Sequence, residues 1–144
     1  MAEGFICRRG GGIKLPDAIS AGNTPIYEYA DGTTSTSTSY VNAGTGFGIT
    51  AVKAGTYRFK YAITGSNMPR ARLTKNGIAV SGSEITTSNG VAVGTFDVAL
   101  SAGDVVRLQR IVNNSSYPCA TPRFVVGILA TALQNGINNL VTGL

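Results

Sequence analysis

The chain contains no histidine and no tryptophan, and only 13% of its 144 residues are charged, about half the ~25% usual for soluble domains. Each shortage excludes something. Without histidine there is no Ser-His-Asp or Cys-His catalysis, no imidazole metal ligand and no imidazole pH switch. The carboxylates number seven: Glu3, Asp17, Glu28, Asp31, Glu84, Asp97 and Asp104. They are scattered, and nothing in their spacing suggests the paired acids of a hydrolase. Two cysteines, Cys7 and Cys119, are too few for a disulfide scaffold. No stretch approaches the ~18 apolar residues of a membrane span, and the start has neither the apolar run nor the cleavage site of a secretory signal. The expectation is a chain made in a cytoplasm, without catalytic residues, metal, cofactor or membrane partner.

What is present points to strands. Hydrophobic residues make up 43% of the chain, and low charge with that content argues for a folded core. Glycine is abundant, at 19 residues, and serine and threonine are common, as in a turn-rich β protein. The net charge is +5, which permits attraction to nucleic acid, anionic glycans or a cell wall. The basic residues are nevertheless dispersed. Only Arg8-Arg9 and the group Arg70, Arg72, Lys75 lie close together, without a nucleic-acid-binding signature. The reading is therefore no nucleic-acid partner.

Three parts follow along the chain. Residues 1–22 form a glycine-rich, basic arm with apolar anchors at Phe5, Ile6, Ile13, Leu15 and Ile19, too short for a core of its own. Residues 23–132 form the globular domain, and residues 133–144 an apolar tail. In the domain, Tyr57, Phe59, Tyr61 and Ile63 alternate with Thr56, Arg58 and Lys60, the period-2 pattern of a half-buried antiparallel strand. Asn76-Gly77 separates two strand-like runs and predicts a tight hairpin. Val91 and Val93 alternate in one phase and Phe96, Val98 and Leu100 in the other, which predicts a bulge or bend near Gly94-Thr95. Thr33 to Ser39 is either an edge strand or a loop. Residues 124–133 are almost continuously apolar. Phe124, Val126 and Ile128 share one face and Val125, Leu129 and Leu133 the other, so whichever set points outward needs cover. That cover is the arm or tail of the same chain, or a neighbouring subunit. Short strands with glycine turns and no helical period predict a sandwich or jelly roll.

Four segments in order carry a family resemblance. They are Gly55, Tyr57, Phe59 and Tyr61; Leu73, Asn76 and Gly77; Leu100, Gly103, Asp104, Val106 and Leu108; and Phe124, Gly127 and Leu129. The order and spacing resemble the C1q/TNF-like jelly roll over about 80 residues, with Phe124 one position further from Gly127 than the family pattern asks. The resemblance implies an all-β antiparallel jelly-roll sandwich with an extended N-terminal arm, a trimeric assembly, and binding rather than catalysis. Residues 1–22 carry no collagen-like G-X-Y repeat. The start, GFICRRGGG, resembles small tail-associated proteins of phages and prophages of Gram-positive bacteria, which implies an attachment arm before a β-rich distal domain.

These readings give a virion structural protein of a phage or phage-like particle, non-enzymatic and homo-oligomeric, with a trimer implied by the resemblance. It attaches to other virion proteins through Phe5, Ile6, Cys7, Arg8, Arg9, Ile13 and Leu15. Its subunit interface is expected at Phe124, Val125, Ile128 and Leu129. Outward loops carrying Asn67, Arg70, Ser83, Asn89, Asn114 and Tyr117 are the candidates for recognising a host surface glycan. The alternative is a purely architectural part: a capsid decoration, a collar or a fibre subunit linked by arm exchange. Asp104 reads as a turn-forming aspartate or a calcium ligand. Cys7 and Cys119 read as free thiols or as a bond between neighbouring subunits. In the tail, Leu133, Ile137, Leu140 and Leu144 have helical spacing, although a docked strand fits equally well.

Overall fold

The computed structural model describes residues 25–128 and 141–143. Among them run thirteen strands and no helix: β1 (Pro25–Ala30), β2 (Thr34–Ser35), β3 (Val41–Asn42), β4 (Gly48–Ala51), β5 (Gly55–Ser66), β6 (Arg70–Lys75), β7 (Ile78–Ala79), β8 (Ile85–Thr86), β9 (Asn89–Leu100), β10 (Val105–Ile111), β11 (Cys119–Ala120), β12 (Arg123–Ile128) and β13 (Val141–Gly143). The first sheet has the order β1-β12-β5, with β9 along the other side of β5 and β11 and β2 extending from one end of β5. The second sheet has the order β13-β4-β10-β6-β7, with β3 on β10 and β8 on β6. β4, β5, β6, β9, β10 and β12 alternate between the two sheets, and their pairings are antiparallel. That winding makes the chain an all-β jelly roll.

The alternation of β5 sets the core. Tyr57, Phe59, Tyr61 and Ile63 are fully enclosed and meet Leu73, Val106, Leu108, Ile49 and Phe47 from the second sheet. Aromatic rings link the layers edge to face: Tyr29 on Phe47 at 4.9 Å and Phe47 on Phe124 at 6.5 Å between centroids, the arrangement the ring quadrupole favours. The enclosed phenols keep their polar ends satisfied. The Tyr57 hydroxyl donates to the Lys53 carbonyl at 2.7 Å, and the Tyr61 hydroxyl donates to the Ser83 carbonyl. Burial pushes the Tyr61 pKa up to about 12, against the pull of that Ser83 hydrogen bond.

The Asn-Gly hairpin forms as its sequence predicts. Lys75 pairs with Ile78, and Asn76 and Gly77 both take positive φ, 52° and 85°, as a two-residue type I′ turn requires. The run from Thr33 to Ser39 contributes only the two-residue edge strand β2, after which serine side chains cap the backbone. Ser35 Oγ accepts from the Ser37 N–H, and Ser37 Oγ accepts from the Ser39 N–H. Such local bonds compete with a longer ladder.

Several expectations need correction. β9 has no bulge, since its twelve residues pair with β5 in one unbroken register from Gly55↔Leu100 to Ser66↔Asn89. The phase change at Gly94 has another cause. Gly94 opposes Tyr61 in the ladder, and a Cβ there would lie 2.7 Å from Ile85 and 3.3 Å from the Tyr61 ring. The inward position is left empty because Tyr61 and Ile85 fill it, while Val91 and Val93 sit on the outer face. Phe124 is 0% exposed, so it belongs to the core and has no surface to offer a neighbouring subunit. Val125, half-buried, lies on the opposite face of β12. At the tail, Val141–Gly143 pairs with β4, so these three residues form a strand on their own chain rather than a helical turn. Arm residues Phe5, Ile6, Cys7, Arg8, Arg9, Ile13 and Leu15, and also Leu129, Leu133, Ile137, Leu140 and Leu144, lie outside the described residues.

Candidate functional surfaces

The outer face of the first sheet is built from the residues that alternate with the core. Arg58, Lys60, Ala62 and Thr64 of β5 oppose Asp97, Thr95, Val93 and Val91 of β9, while Val125 lies beside Lys60 on the other flank. Charges on this face are largely cancelled in place. Arg58 makes a two-pronged pair with Asp97, at 2.7 and 2.8 Å. Arg123 pairs with Glu28. The Arg58 hydrogen bonds hold the Asp97 carboxyl below the usual range. Between these pairs stand Val91 and Val93, 63% and 70% exposed. Two neighbouring valines on that strand face, outside the core and with no polar role, form an exposed apolar pair.

The outer face of the second sheet has the opposite character. Arg70 and Arg72 of β6 and Arg107 and Gln109 of β10 project there, with Thr74 opposite Arg107 and Asn42 of β3 opposite Gln109. A chain of hydrogen bonds locks the middle of this face. Arg72 Nε donates to Gln109 Oε1 at 3.1 Å, and Gln109 Nε2 donates to Asn42 Oδ1 at 3.3 Å. The Arg72 guanidinium lies 3.6 Å from the centre of the Tyr40 ring, and the Arg70 guanidinium lies 6.0 Å from it. Such stacking contributes roughly 0.5–1 kcal/mol at exposed sites. Arg70 also donates to Asn113 Oδ1 at 3.0 Å. The Tyr40 hydroxyl donates to Glu84. Burial, then the Glu84 hydrogen bond and charge, raise the Tyr40 pKa to about 12, against the pull of Arg70 and Arg72. Among the described residues no carboxylate forms an ion pair with Arg70, Arg72 or Arg107.

The predicted loop residues are partly united. Ser66 opposes Asn89 across β5 and β9, Arg70 opposes Ile111 across β6 and β10, and Thr64 opposes Ala120 of β11. These registers bring Asn67, Arg70, Asn89, Asn114 and Tyr117 to one end of the sandwich. Asn67 takes φ 63° in its turn and its N–H donates to the Ser88 carbonyl. Tyr117 is about half exposed, so it does not cap the core. Ser83 does not belong with them. It is 1% exposed, and its hydroxyl accepts from the Leu73 N–H at 3.0 Å and donates to the Val80 carbonyl at 2.7 Å. It anchors the loop rather than facing outward.

The remaining special residues resolve into structure. Asp104 staples the opposite end of the sandwich. It accepts from the Asn76 amide at 2.9 Å and the Ser101 N–H at 2.7 Å, and lies 3.4 Å from Lys75 Nζ. The Asn76 bond first, then the Ser101 bond, lower its pKa, and the turn reading of this aspartate accounts for its contacts. No group of three or more potential metal-ligating side chains occurs among the described residues. Cys119 is a free thiol, 1% exposed on β11, and burial raises its pKa. The chain itself seals it from a neighbour's arm, which argues against the intersubunit bond with Cys7.

Tyr40, Asn42, Arg107 and Gln109 were not among the residues the sequence singled out. A signal existed: Arg72 and Gln109 alternate with the inward Leu73 and Leu108, and these strands are register partners. Which strands would be partners could not be read locally.

No family model matches the chain, and no curated protein matches it. Solved structures do. A family 35 carbohydrate binding module from an environmental isolate is 18% identical, covering 96% of this chain and 90% of its own, with a TM-score of 0.45. The CBM36-1 domain of a multidomain xylanase from the hindgut metagenome of Trinervitermes trinervoides is 13% identical, covering 77% and 91%, with a TM-score of 0.46. Rabbit GITRL is 17% identical, covering 59% and 73%, with a TM-score of 0.43. The jelly-roll assignment itself rests on the strand order given above.

Proposed function

We propose that this chain is a non-enzymatic structural subunit of a phage or phage-like particle. It assembles as a homo-trimer through the outer face of its first sheet, attaches through residues 1–22, and presents its other surfaces to a host glycan. The observation that carries the self-assembly is the exposed pair Val91 and Val93, set on a face whose flanking charges are already paired within the chain. Burying that face against the neighbouring chain, around a threefold ring, removes apolar surface from water and strands only Lys60 as an unpaired charge among the described residues. Arg58–Asp97 and Arg123–Glu28 carry their own counter-charges into the contact. The particle setting is supported by the resemblance of GFICRRGGG to tail-associated proteins and by the order of arm then domain. Assembly multiplies weak contacts, since linked sites raise the effective concentration of each.

The test is the solution mass of the full chain, of the V91S/V93S variant and of a chain lacking residues 1–22, with and without reductant. The expected result is a species of three 14.8 kDa chains in the wild type and the shortened chain, indifferent to reductant, and a folded monomer in the double variant. A wild-type monomer overturns the trimer. Polymers that collapse on removal of residues 1–22 replace it with arm-linked assembly.

A further inference from the structure

We propose that the outer face of the second sheet binds an acidic polysaccharide, with the Arg72 guanidinium as the fork that takes the sugar's oxyanion and Arg70 and Arg107 beside it. The proposal deepens the glycan-recognition part of the reading above and rests on it there. It is independent of the trimer and of the particle.

A protein surface normally leaves an arginine in one of two states. A solvated arginine is mobile, or it is paired with a carboxylate as Arg58 is here. Arg72 is neither. Its plane is held against the Tyr40 ring, and its Nε is tied to Gln109, which is itself tied to Asn42. The terminal nitrogens donate to no described group. Tyr40 is in turn fixed by its bond to Glu84. Two supporting side chains and a stacked ring therefore fix one guanidinium, with its two-pronged end left for something else. That is the arrangement of a preorganised oxyanion receptor, because a planar fork matches carboxylate and phosphate oxygens two at a time and loses little freedom when already immobilised.

The neighbourhood sets the ligand class. Arg107 lies on the adjacent strand, diagonal to Arg72 across the register Thr74↔Arg107 and Arg72↔Gln109. Diagonal neighbours on a sheet stand roughly 7–8 Å apart. Arg70 lies on the other side of Arg72, two residues along β6. The three cations face one carboxylate, Glu84, at the margin beside Tyr40. The remaining groups, Asn42 and Gln109, are neutral donors and acceptors suited to hydroxyls. A chain of polyols carrying regularly spaced carboxylates or phosphates fits this surface in charge and in hydrogen bonding. Nucleic acid fits less well, because single-stranded recognition relies on aromatic faces open for base stacking, and the ring here is already covered by Arg72.

The experiment titrates the full-length protein with short acidic oligomers, a tri-uronate and a tri(glycerol phosphate), so that multivalency does not enter. A neutral trisaccharide and a trinucleotide are the controls. Binding of either acidic polyol, at least tenfold tighter than the neutral sugar and weakening as salt rises, is expected, and the tighter of the two names the oxyanion. R72Q is expected to weaken that binding at least tenfold. R72K is expected to weaken it nearly as much, because an ammonium neither stacks flat nor forks. R58Q, on the other sheet, is expected to leave it unchanged. V91S/V93S is expected to keep the site's affinity, so a failed trimer and a failed site are read separately. Retained cooperative thermal unfolding and an unchanged far-UV circular dichroism spectrum of R72Q and R72K certify the fold. Trinucleotide binding tighter than either acidic polyol, full binding by R72K, equal loss in R58Q, or no binding to any acidic oligomer overturns the proposal.

Discussion

The two outer faces of this sandwich are made by the same rule and end up with opposite properties. On each, every second residue of a strand escapes the core. On the first sheet the escaping arginines find carboxylates directly across a ladder or along the neighbouring strand, as Arg58 finds Asp97 and Arg123 finds Glu28. Apolar Val91 and Val93 remain as the unsatisfied element. On the second sheet the escaping arginines find amides and a phenol ring instead, so positive charge remains as the unsatisfied element. A surface with its charges cancelled suits burial against a neighbouring subunit. A surface with its cations positioned but unpaired suits an anion. The difference comes from a few residues, not from the fold.

The largest way to sharpen this comparison is to contrast adjacent positions on one strand. Phe124→Ala is expected to cost ~3–5 kcal/mol of stability, the usual loss for an enclosed phenylalanine, whereas Val125→Ala next to it is expected to leave the fold within about 1 kcal/mol. Denaturant unfolding of the two variants checks it, and similar costs would mean that the two sides of β12 have been assigned wrongly. A second contrast uses β9. Gly94→Ala is expected to cost ~1–3 kcal/mol, because its methyl group would crowd Ile85 and the Tyr61 ring. Val93→Ala, one residue away and outward, is expected to leave the monomer within about 0.5 kcal/mol. In the hairpin, Gly77→Ala meets open space but an unfavourable φ of 85°, and a loss of about 1 kcal/mol is expected by the same measurement.

The smallest expected effect is pH-dependent. Asp97 is held below the usual carboxylate range by Arg58, and Asp104 by Asn76 and Ser101. A carboxyl depressed in the folded state contributes stability above its unfolded value, near pH 4, and loses that contribution as pH falls through the folded value. Thermal unfolding measured downward from about pH 5 is expected to show a modest loss. D97N and D104N together are expected to flatten it. If the variant titrates like the wild type, the loss comes from other groups.

The sequence made the inside far more legible than the outside. Period-2 alternation marked Tyr57 to Ile63 because the core imposes one face on a strand, and Asn76-Gly77 marked the hairpin because its geometry admits few residues. The same alternation was ambiguous for residues 124–128. An apolar run on both faces does not say which set points inward, and only the pairing Phe124↔Tyr61 decides it. Gly94 read as a bulge because an empty inward position looks like a phase change until the ring that fills it is known. Ser83 read as a surface serine because its partners, Leu73 and Val80, depend on how the loop folds back. The second sheet's face was the least legible. Tyr40, Arg72 and Gln109 are brought together from three separated stretches of chain, and their meaning lies in that meeting. Among the loop candidates, the gathering of Asn67, Arg70, Asn89, Asn114 and Tyr117 at one end follows from strand lengths that local pattern already approximated.

On this reading the two outer faces do different work. Hydroxyl-radical footprinting of the full-length protein tests it most directly, run across protein concentration and then with the acidic oligomer that binds. Val91, Val93 and Val125 are expected to become protected as concentration rises, while Tyr40, Arg107 and Gln109 stay reactive until the acidic oligomer is added and then are protected alone. Protection of both faces together, or of the second face by concentration and the first by the oligomer, would contradict it.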